Sequence, residues 1–400
     1  MIRGTKIIKK EIDLLFYGTP VVYAISKVIG NQSLYAIKDI WMMLLCVQIF
    51  ISVRKVSINL KSLLLISVYF IYIIASSLLH IEDGYFWLIS IREMVVTPLM
   101  LIILGAYLDF NNINFLTYSR KVLFFICALT VLFSFAFKSI SYGATNRLNS
   151  LWDREHEPAI IGALLITATV AEIRRDKKKH FVKDLLVSCL LGGFCIIMSR
   201  SRSGILALFF SLIYIYADKL KGKNIVALVV LGIGGYFAVE YYSVITHRAL
   251  NYNIGARLSQ YSLARELIIS YPLFGIGVDK YGVLGSVTKE FSYNGLSTIT
   301  MDSDLIKYIV NLGLVYAILL ITLLRKTYKY VSRFDRNAYI FVVFGLVMGA
   351  VTGKMGSYPM NQFFYPIFGY IIFTRDVYGN YSHDEISILS QQSKLLLFSK

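Results

Sequence analysis

The hexapeptide Ser199-Arg200-Ser201-Arg202-Ser203-Gly204 joins two long apolar runs. Its guanidiniums and hydroxyls sit where a helix begins. The first backbone N–H groups of a helix lack internal partners there, so the segment is a cradle for an anion such as a phosphate or pyrophosphate. Two further arginine-bearing segments fall on the same side of the apolar runs. Arg147-Leu148-Asn149-Ser150-Leu151-Trp152-Asp153-Arg154-Glu155-His156-Glu157-Pro158 offers Arg147 to an anion and the flat face of Trp152 to a sugar ring. The stretch from Gly255 to Ile269 has helical periodicity, and at about 100° per residue Arg257, Tyr261 and Arg265 share one face. Arg147, Arg200, Arg202, Arg257 and Arg265 are therefore candidate anion ligands, with Trp152 and Tyr261 as candidate sugar contacts. Arginines that snorkel to lipid headgroups would use the same residue type, but would not explain the choice of side.

Asp302-Ser303-Asp304-Leu305 opens the apolar run that follows. Carboxylates at a helix start are favourable simply as caps. Facing a basic loop at a membrane boundary, Asp302 and Asp304 are also candidates for a general base. Cys46, Cys127, Cys189 and Cys195 all lie within apolar runs, and their spacing gives neither a metal site nor a disulfide framework. No cofactor is expected.

These residues are positioned by a membrane architecture. The 400-residue chain is 56% hydrophobic and 16% charged, with a mean hydropathy of +0.62. A soluble domain is about half apolar and a quarter charged. The fold class is an all-α, polytopic transmembrane bundle. Spans are expected near 12–29, 35–53, 62–79, 94–109, 121–138, 158–172, 184–198, 204–217, 224–246, 303–324, 338–353 and 360–374. Most of the +17 net charge sits in short loops between these runs, which fits topogenic charge and anionic lipid rather than nucleic acid. Lys9-Lys10, Arg54-Lys55, Arg174 to Lys179, Lys219 to Lys223 and Arg325 to Arg336 alternate onto one side. By the positive-inside rule that side is cytoplasmic, with both termini.

The chain reads as one integral membrane domain, residues 1–400. Its outward connections are 30–34, 80–93, 139–157, 199–203, 247–302 and 354–359. Only 247–302 is long, and a loop of that length in a tightly connected bundle points to function. It is expected to hold a short amphipathic helix lying along the membrane surface. Tyr271-Pro272 should end that helix, and Pro272-Leu273-Phe274-Gly275-Ile276-Gly277 should form a tight turn. Residues 375–400 form a polar cytoplasmic tail.

In this order the segments resemble the O-antigen ligase and polymerase superfamily, most closely its Wzy-type repeat-unit polymerases. The resemblance rests on Ser201 to Gly204, on Arg257 through Gly277 with its Pro-Leu-Phe-Gly-x-Gly, on Asp302 through Leu314 with its Asn-x-Gly-Leu, and on the arginine loop from Arg147 to Ile161. It implies a GT-C-like helical fold in the bacterial inner membrane, with the active site facing the periplasm. The implied substrates are undecaprenyl-pyrophosphate-linked glycans, and a chain-length regulator is a candidate protein partner. In that picture Arg202 and Arg257, with Arg147 and Arg265, hold the departing pyrophosphate, and neither metal nor nucleotide sugar takes part. Ligases of the superfamily typically place His-Asn where this chain has Asp302-Ser303, which favours a polymerase. The spacing from Arg265 to Gly275 is one residue short of another arginine-and-glycine pattern described for some polymerases.

Two other functions share the composition. An O-antigen ligase would pass the glycan to lipid A core, and a flippase would carry the lipid-linked glycan across the bilayer. Transporters usually show two related halves, and the sequence has no such repeat. The charge pattern makes a direct prediction: reporter fusions at Lys223 and Ser286 should report opposite sides of the membrane. Two cytoplasmic signals would contradict the assigned orientation.

Overall fold

The computed structural model describes residues 2–52, 58–79, 81, 84–142, 148–152, 156–176, 181–217, 252–278, 291–293, 296–298, 303–352 and 358–372. Its helices are α1 (Ile2–Ile29), α2 (Tyr35–Ser52), α3 (Leu60–Leu78), α4 (Gly84–Ile91), α5 (Thr97–Phe110), α6 (Phe115–Ala136), α7 (Lys138–Ser141), α8 (Glu157–Asp176), α9 (Phe181–Ser199), α10 (Arg202–Tyr216), α11 (Tyr252–Ser270), α12 (Asp304–Asp335), α13 (Ile340–Thr352), α14 (Asn361–Phe364) and α15 (Pro366–Gly369). A small antiparallel hairpin, β1 (Phe291–Tyr293) and β2 (Leu296–Thr298), pairs Phe291 with Thr298. It is an addition to the all-helical expectation.

Seven described helical stretches are long and apolar enough to cross a membrane, and the longest, Asp304–Val351, holds two expected spans. The chain is a multi-pass helical membrane protein. Large apolar side chains such as Phe50, Leu60, Leu132, Phe135, Val182 and Leu190 are exposed along the outside, as lipid-facing positions must be. In α8 the residues from Glu157 to Leu165 are all inside the bundle. Gly162 and Gly192 let α8 and α9 touch backbone to backbone, and the Thr169 and Ser188 hydroxyls meet at 2.9 Å. Small residues and interhelical hydroxyl bonds are what hold helices together in lipid, where no hydrophobic force separates helix from solvent.

Contacts sort the helix ends into two groups. At one end, called lower, Asn59 N–H donates to Ile372 O, Tyr370 hydroxyl to Ile113 O, and Tyr214 hydroxyl to Arg336 O. Arg175 joins Asp335 at 3.1 Å there, and Arg120 pairs with Glu172. At the other end, called upper, Lys27 Nζ donates to Trp152 O, Leu148 N–H to Met198 O, and Ser303 hydroxyl to Gly349 O. This is the alternation expected from the loops. Of the expected spans, only 224–246 lies outside the described residues, as do Arg147, Asp302 and the tail beyond 372.

Four boundaries differ from expectation. Residues 84–93 are helical rather than part of an upper loop, so this span runs Gly84–Phe110. Arg92 and Glu93 depress the local hydropathy, yet the chain keeps them inside the helix by opening a π-turn at Arg92–Val96. The final span is not a regular helix. Tyr358 to Gly369 is buried throughout, wound as α14 and α15, and locked into α5 by Gly105 against Pro366 and Gly369 against Ile102. The helix in the long loop is also longer than expected, Tyr252–Ser270. Finally, α12 extends well past residue 324, to Asp335.

The Asn-x-Gly-Leu segment is where α12 breaks. Gly313 has φ 76° and ψ −177° inside the helix, a backbone state that side chains disfavour. The break frees backbone groups, and the Pro272–Gly277 turn takes them up. Ile276 N–H donates to Val310 O at 3.1 Å, Gly277 N–H to Asn311 O at 3.0 Å, and Leu314 N–H to Pro272 O at 2.7 Å. Gly275 and Gly277 have φ of 69° and 101°. A Cβ on Gly275 would meet the Asn311 carbonyl at 2.4 Å, and one on Gly313 would meet Leu273 O at 2.1 Å. Tyr72 hydroxyl reaches both Leu312 O (2.6 Å) and Leu273 O (3.0 Å), while Ser76 and Ser90 donate to Phe274 O and Val278 O.

Gly313→Ala and Gly275→Ala should therefore lower the melting temperature of the detergent-solubilised protein sharply. The left-handed backbone alone costs roughly 1–2 kcal/mol, before any clash. Gly193→Ala in α9 meets nothing within 4 Å and should leave it unchanged or raise it.

Candidate functional site

The upper end gathers most of the residues singled out from sequence. α9 stops at Ser199, and Arg200 turns the chain in the left-handed region at φ 51°. Ser201 then occupies the N-cap position of α10, which begins at Arg202. The buried Ser201 and Ser203 hydroxyls meet at 2.8 Å, so these serines shape the turn rather than standing open. Gly204 is required by contact: a Cβ there would come within 2.8 Å of Ala159 Cβ. The first turns of α8 and α10 are thereby pressed together. Both helices point their N-terminal dipoles the same way, toward the face where Arg200 sits half-exposed.

The arginine loop docks on this corner. Leu148, next to Arg147, donates its N–H to Met198 O at 3.0 Å. Ser150 is also left-handed, at φ 49°, and its hydroxyl donates to Thr130 O. Two non-glycine residues in this sparsely populated region, Arg200 and Ser150, thus each lie two residues from the Leu148–Met198 hydrogen bond. Such strain concentrates at functional sites.

Trp152 corrects the sequence reading. Its side chain is fully buried, with the indole N–H donated to Thr130 Oγ1 at 3.3 Å and the ring packed against Tyr23 and Tyr358. It has no face free for a sugar. An aromatic in a polar loop reads as a stacking platform until its packing is seen, and here it anchors the loop. The adjacent Tyr23, Tyr35 and Tyr358 rings stack in series, with Lys38 over Tyr358 at 5.5 Å.

The amphipathic helix behaves as its periodicity predicts. Tyr261 and Arg265 are exposed, while Gln260, Leu263, Ala264 and Leu267 are buried against Ile276 and Val310. Arg257 lies on the Tyr261–Arg265 face by register, one turn before Tyr261. The helix ends at Ser270, before Tyr271-Pro272. Its C-terminal end is then fixed to the break in α12 by the turn described above.

At the start of α12 the cap is Ser303, whose hydroxyl accepts from Ile306 N–H and donates to Gly349 O. Asp304 is the first helical residue and is 2% exposed. Because α13 packs along α10, the start of α12 and the arginine turn flank the upper end of α13. Asp304 has company that sequence reasoning missed. Lys307 is 4% exposed one turn below it, and Lys38, Asp39, Arg92 and Glu93 form a charged group that joins α2 to the π-turn. Lys38, Asp39, Asp304 and Lys307 lie inside expected spans, where charge at membrane depth is costly and marks function by default, whereas Arg92 and Glu93 fall in a stretch expected to be an outward loop. The Tyr358 hydroxyl and the fully buried Gln362 amide find no hydrogen-bond partner among the described residues. Among those residues no three His, Cys, Asp or Glu side chains converge as a metal site would require.

Residues 187–321 match the family model described as O-antigen ligase. The matched stretch runs from α9 through the arginine turn and the long loop to the break in α12. It contains Arg200, Arg202, Arg257, Arg265, Asp302 and Asp304. Over that stretch, about a third of its length, the chain is similar to the O-antigen ligase family. No curated protein sequence matches it. The matched segment includes the arginine turn at the upper end, while α1–α8 and the charged group around Glu93 lie largely outside it.

Trp152→Ala should act on stability. Emptying a buried tryptophan site costs about 3–5 kcal/mol, so the variant should melt well below the parent, and Trp152→Phe should recover much of the loss. A variant that melts normally but loses glycan transfer would restore Trp152 to the sugar site.

Proposed function

We propose that the protein is a polysaccharide polymerase of the bacterial inner membrane. It moves a growing glycan from undecaprenyl pyrophosphate onto a new lipid-linked repeat unit, at the periplasmic face. The observation that carries this reading is the upper corner itself. Two helix N-termini, a strained arginine turn and the loop residues that follow Arg147 meet at one end, and α11 carries two further arginines on one face by register. Such an arrangement suits a pyrophosphate leaving group, whose charge grows as the glycosidic bond breaks.

Arg202 and Arg257 are the main pyrophosphate ligands in this proposal, with Arg147, Arg200 and Arg265 in support and Tyr261 against the sugar. Asp302 or Asp304 takes the proton from the acceptor hydroxyl as its oxygen attacks the anomeric carbon. A positioned base is worth about 10²–10⁴-fold in rate. The bond from that carbon to the pyrophosphate oxygen breaks, and the lipid pyrophosphate departs onto the arginines. The substrates are the lipid-linked glycans alone, with membrane lipids as surroundings and a chain-length regulator as the expected protein partner.

The ligase reading has its own support in the description of the matched family. Acidic residues at the start of α12, where related ligases carry His-Asn, favour the polymerase. Gel analysis of surface polysaccharide from a deletion strain separates them. Loss of the long-chain ladder with one repeat kept on the core is expected. Complete loss of glycan from the core means a ligase, or a flippase if lipid-linked repeats accumulate inside.

Complementation of that strain tests the residues. Arg202→Ala and Arg257→Ala should abolish the ladder at unchanged protein level. Lys at either position should rescue poorly, because a point charge cannot make bidentate phosphate contacts. Asp302→Asn or Asp304→Asn should shorten or remove the ladder. Normal ladders from both arginine variants would end the pyrophosphate assignment. Unaltered ladders from the two Asn variants, singly and together, would make the carboxylates structural.

A further inference from the structure

A cavity of about 170 Å³ opens at the lower end, away from the arginine turn. One water needs only about 10–15 Å³, so the space admits a ligand. It is lined by Asn112 and Asn114 of the α5–α6 connection, Phe115 at the start of α6, Phe334 and Asp335 at the end of α12, and Tyr370 just past α15. Asn112, Asn114 and Phe334 are exposed while Phe115 is buried. Phe115 and Tyr370 meet edge to face with centroids 6.3 Å apart. Asp335 Oδ1 accepts the Asn337 N–H at 3.1 Å, and Oδ2 accepts from Arg175 Nη1 at 3.1 Å and from Asn114 Nδ2 at 3.4 Å. A carboxylate offers about four acceptor positions, which leaves Asp335 with one. Arg175 does not neutralise it alone. Among the described ion pairs at this end, Arg120 and Arg175 are shared by Glu172, Asp176, Asp184 and Asp335, two guanidiniums against four carboxylates. The nearby Arg174 and Arg336 guanidiniums stand over the Tyr216 and Tyr214 rings instead, each at 5.4 Å.

We propose that this cavity binds a primary ammonium group, with Asp335 as its counter-charge. An ammonium is a compact cation with three N–H donors. It gives one of them to the acceptor position left on Asp335, and its charge answers the surplus of carboxylates around Arg120 and Arg175. Phenylalanine and tyrosine rings also attract a cation within about 6 Å of their centroids, and three such rings line this small space. An anion would meet like charge instead. At a membrane boundary the same chemistry has two sources, the headgroup of an aminophospholipid and a free alkylamine. The consequence is structural. Three separate parts of the chain line the cavity, and one of them ends α12, the helix that begins with Asp304. A ligand seated there ties the α5–α6 connection and the last buried segment to α12, and stabilises the folded bundle by mass action. The site is independent of the glycosyl-transfer reading.

Thermal unfolding of the purified full-length protein in detergent micelles tests this, with phosphatidylethanolamine, phosphatidylcholine, phosphatidylglycerol or free ethanolamine titrated in. Phosphatidylethanolamine should raise the melting temperature in a saturable way. Phosphatidylcholine, whose ammonium has no N–H, and phosphatidylglycerol, which has no ammonium, should not. Asp335→Asn should weaken the apparent affinity for phosphatidylethanolamine by about tenfold or more, the loss of a hydrogen bond between charged groups. That change also takes a partner from Arg175, so Ala338→Leu serves as a second variant. Ala338 lines the cavity, and a larger side chain there fills the space with every ion pair left in place. It should lose the response. Free ethanolamine that reproduces the rise and removes the further effect of the lipid assigns the site to a soluble amine. A full lipid response that ethanolamine neither copies nor reduces assigns it to the headgroup. Equal rises with all three lipids would mark an effect of bulk lipid and overturn the site. A phosphatidylethanolamine response undiminished in whichever variant folds would place the ammonium elsewhere and overturn it as well.

Discussion

The exchange of backbone hydrogen bonds between the Pro272–Gly277 turn and the break at Gly313 is the constraint on which the upper end depends. A helix interrupted at membrane depth has carbonyls and an N–H that lipid cannot satisfy. Here Val310 O, Asn311 O and Leu314 N–H are all taken up by one turn of the long loop. Only glycine fits at the closest points, because both backbones lie where a Cβ would be. The consequence reaches beyond stability. The same turn ends α11, which bears Arg257, Tyr261 and Arg265, so that helix is held against the one that begins with Asp304.

A second layer of ties makes the arrangement a unit. Tyr72 and Ser76 of α3 bond the carbonyls of the turn, and Ser90 bonds Val278 one turn before the π-turn that carries Glu93. The basic face of α11, the acidic start of α12 and the charged group of the π-turn thus share one set of backbone anchors. On the far side of α13, Gly204 and Ala159 press the starts of α8 and α10 together beneath Arg200. Electrostatic catalysis needs donors whose positions are set before reaction. Close backbone contact supplies that setting in a membrane, where burial of apolar surface between helices gives little driving force.

Much of this was legible in the sequence, for physical reasons. Apolar run length and the side of each basic loop gave the spans, because lipid imposes both. Helical periodicity placed Tyr261 and Arg265 together, and Pro272 marked where α11 ends. The Ser-Arg-Ser-Gly turn could be placed from its position between two runs. What failed had a common cause. Hydropathy averages over a window, so Arg92-Glu93 read as a loop edge although a π-turn retains them in the span. Packing is invisible to composition, so Trp152 read as a platform when it is a buried anchor. Asp39 and Arg92 come from separate stretches, and only the folded bundle brings their charges together. Gly313 read as the end of a match, and the turn that docks on it could not be seen without the partner backbone.

The account's central claim is that a lipid pyrophosphate binds at the upper end, between the arginine turn and α11. The most direct measurement is photocrosslinking in nanodiscs with an undecaprenyl pyrophosphate analogue carrying a photoreactive group beside the phosphates, followed by mapping of the labelled peptide. The account predicts adducts within 199–204 and on the 257–265 face, lost on competition with unlabelled lipid pyrophosphate. A cavity of about 170 Å³ lies at the opposite end, lined by Asn112, Phe115, Asp335 and Tyr370. Competed labelling confined to that cavity would contradict the account.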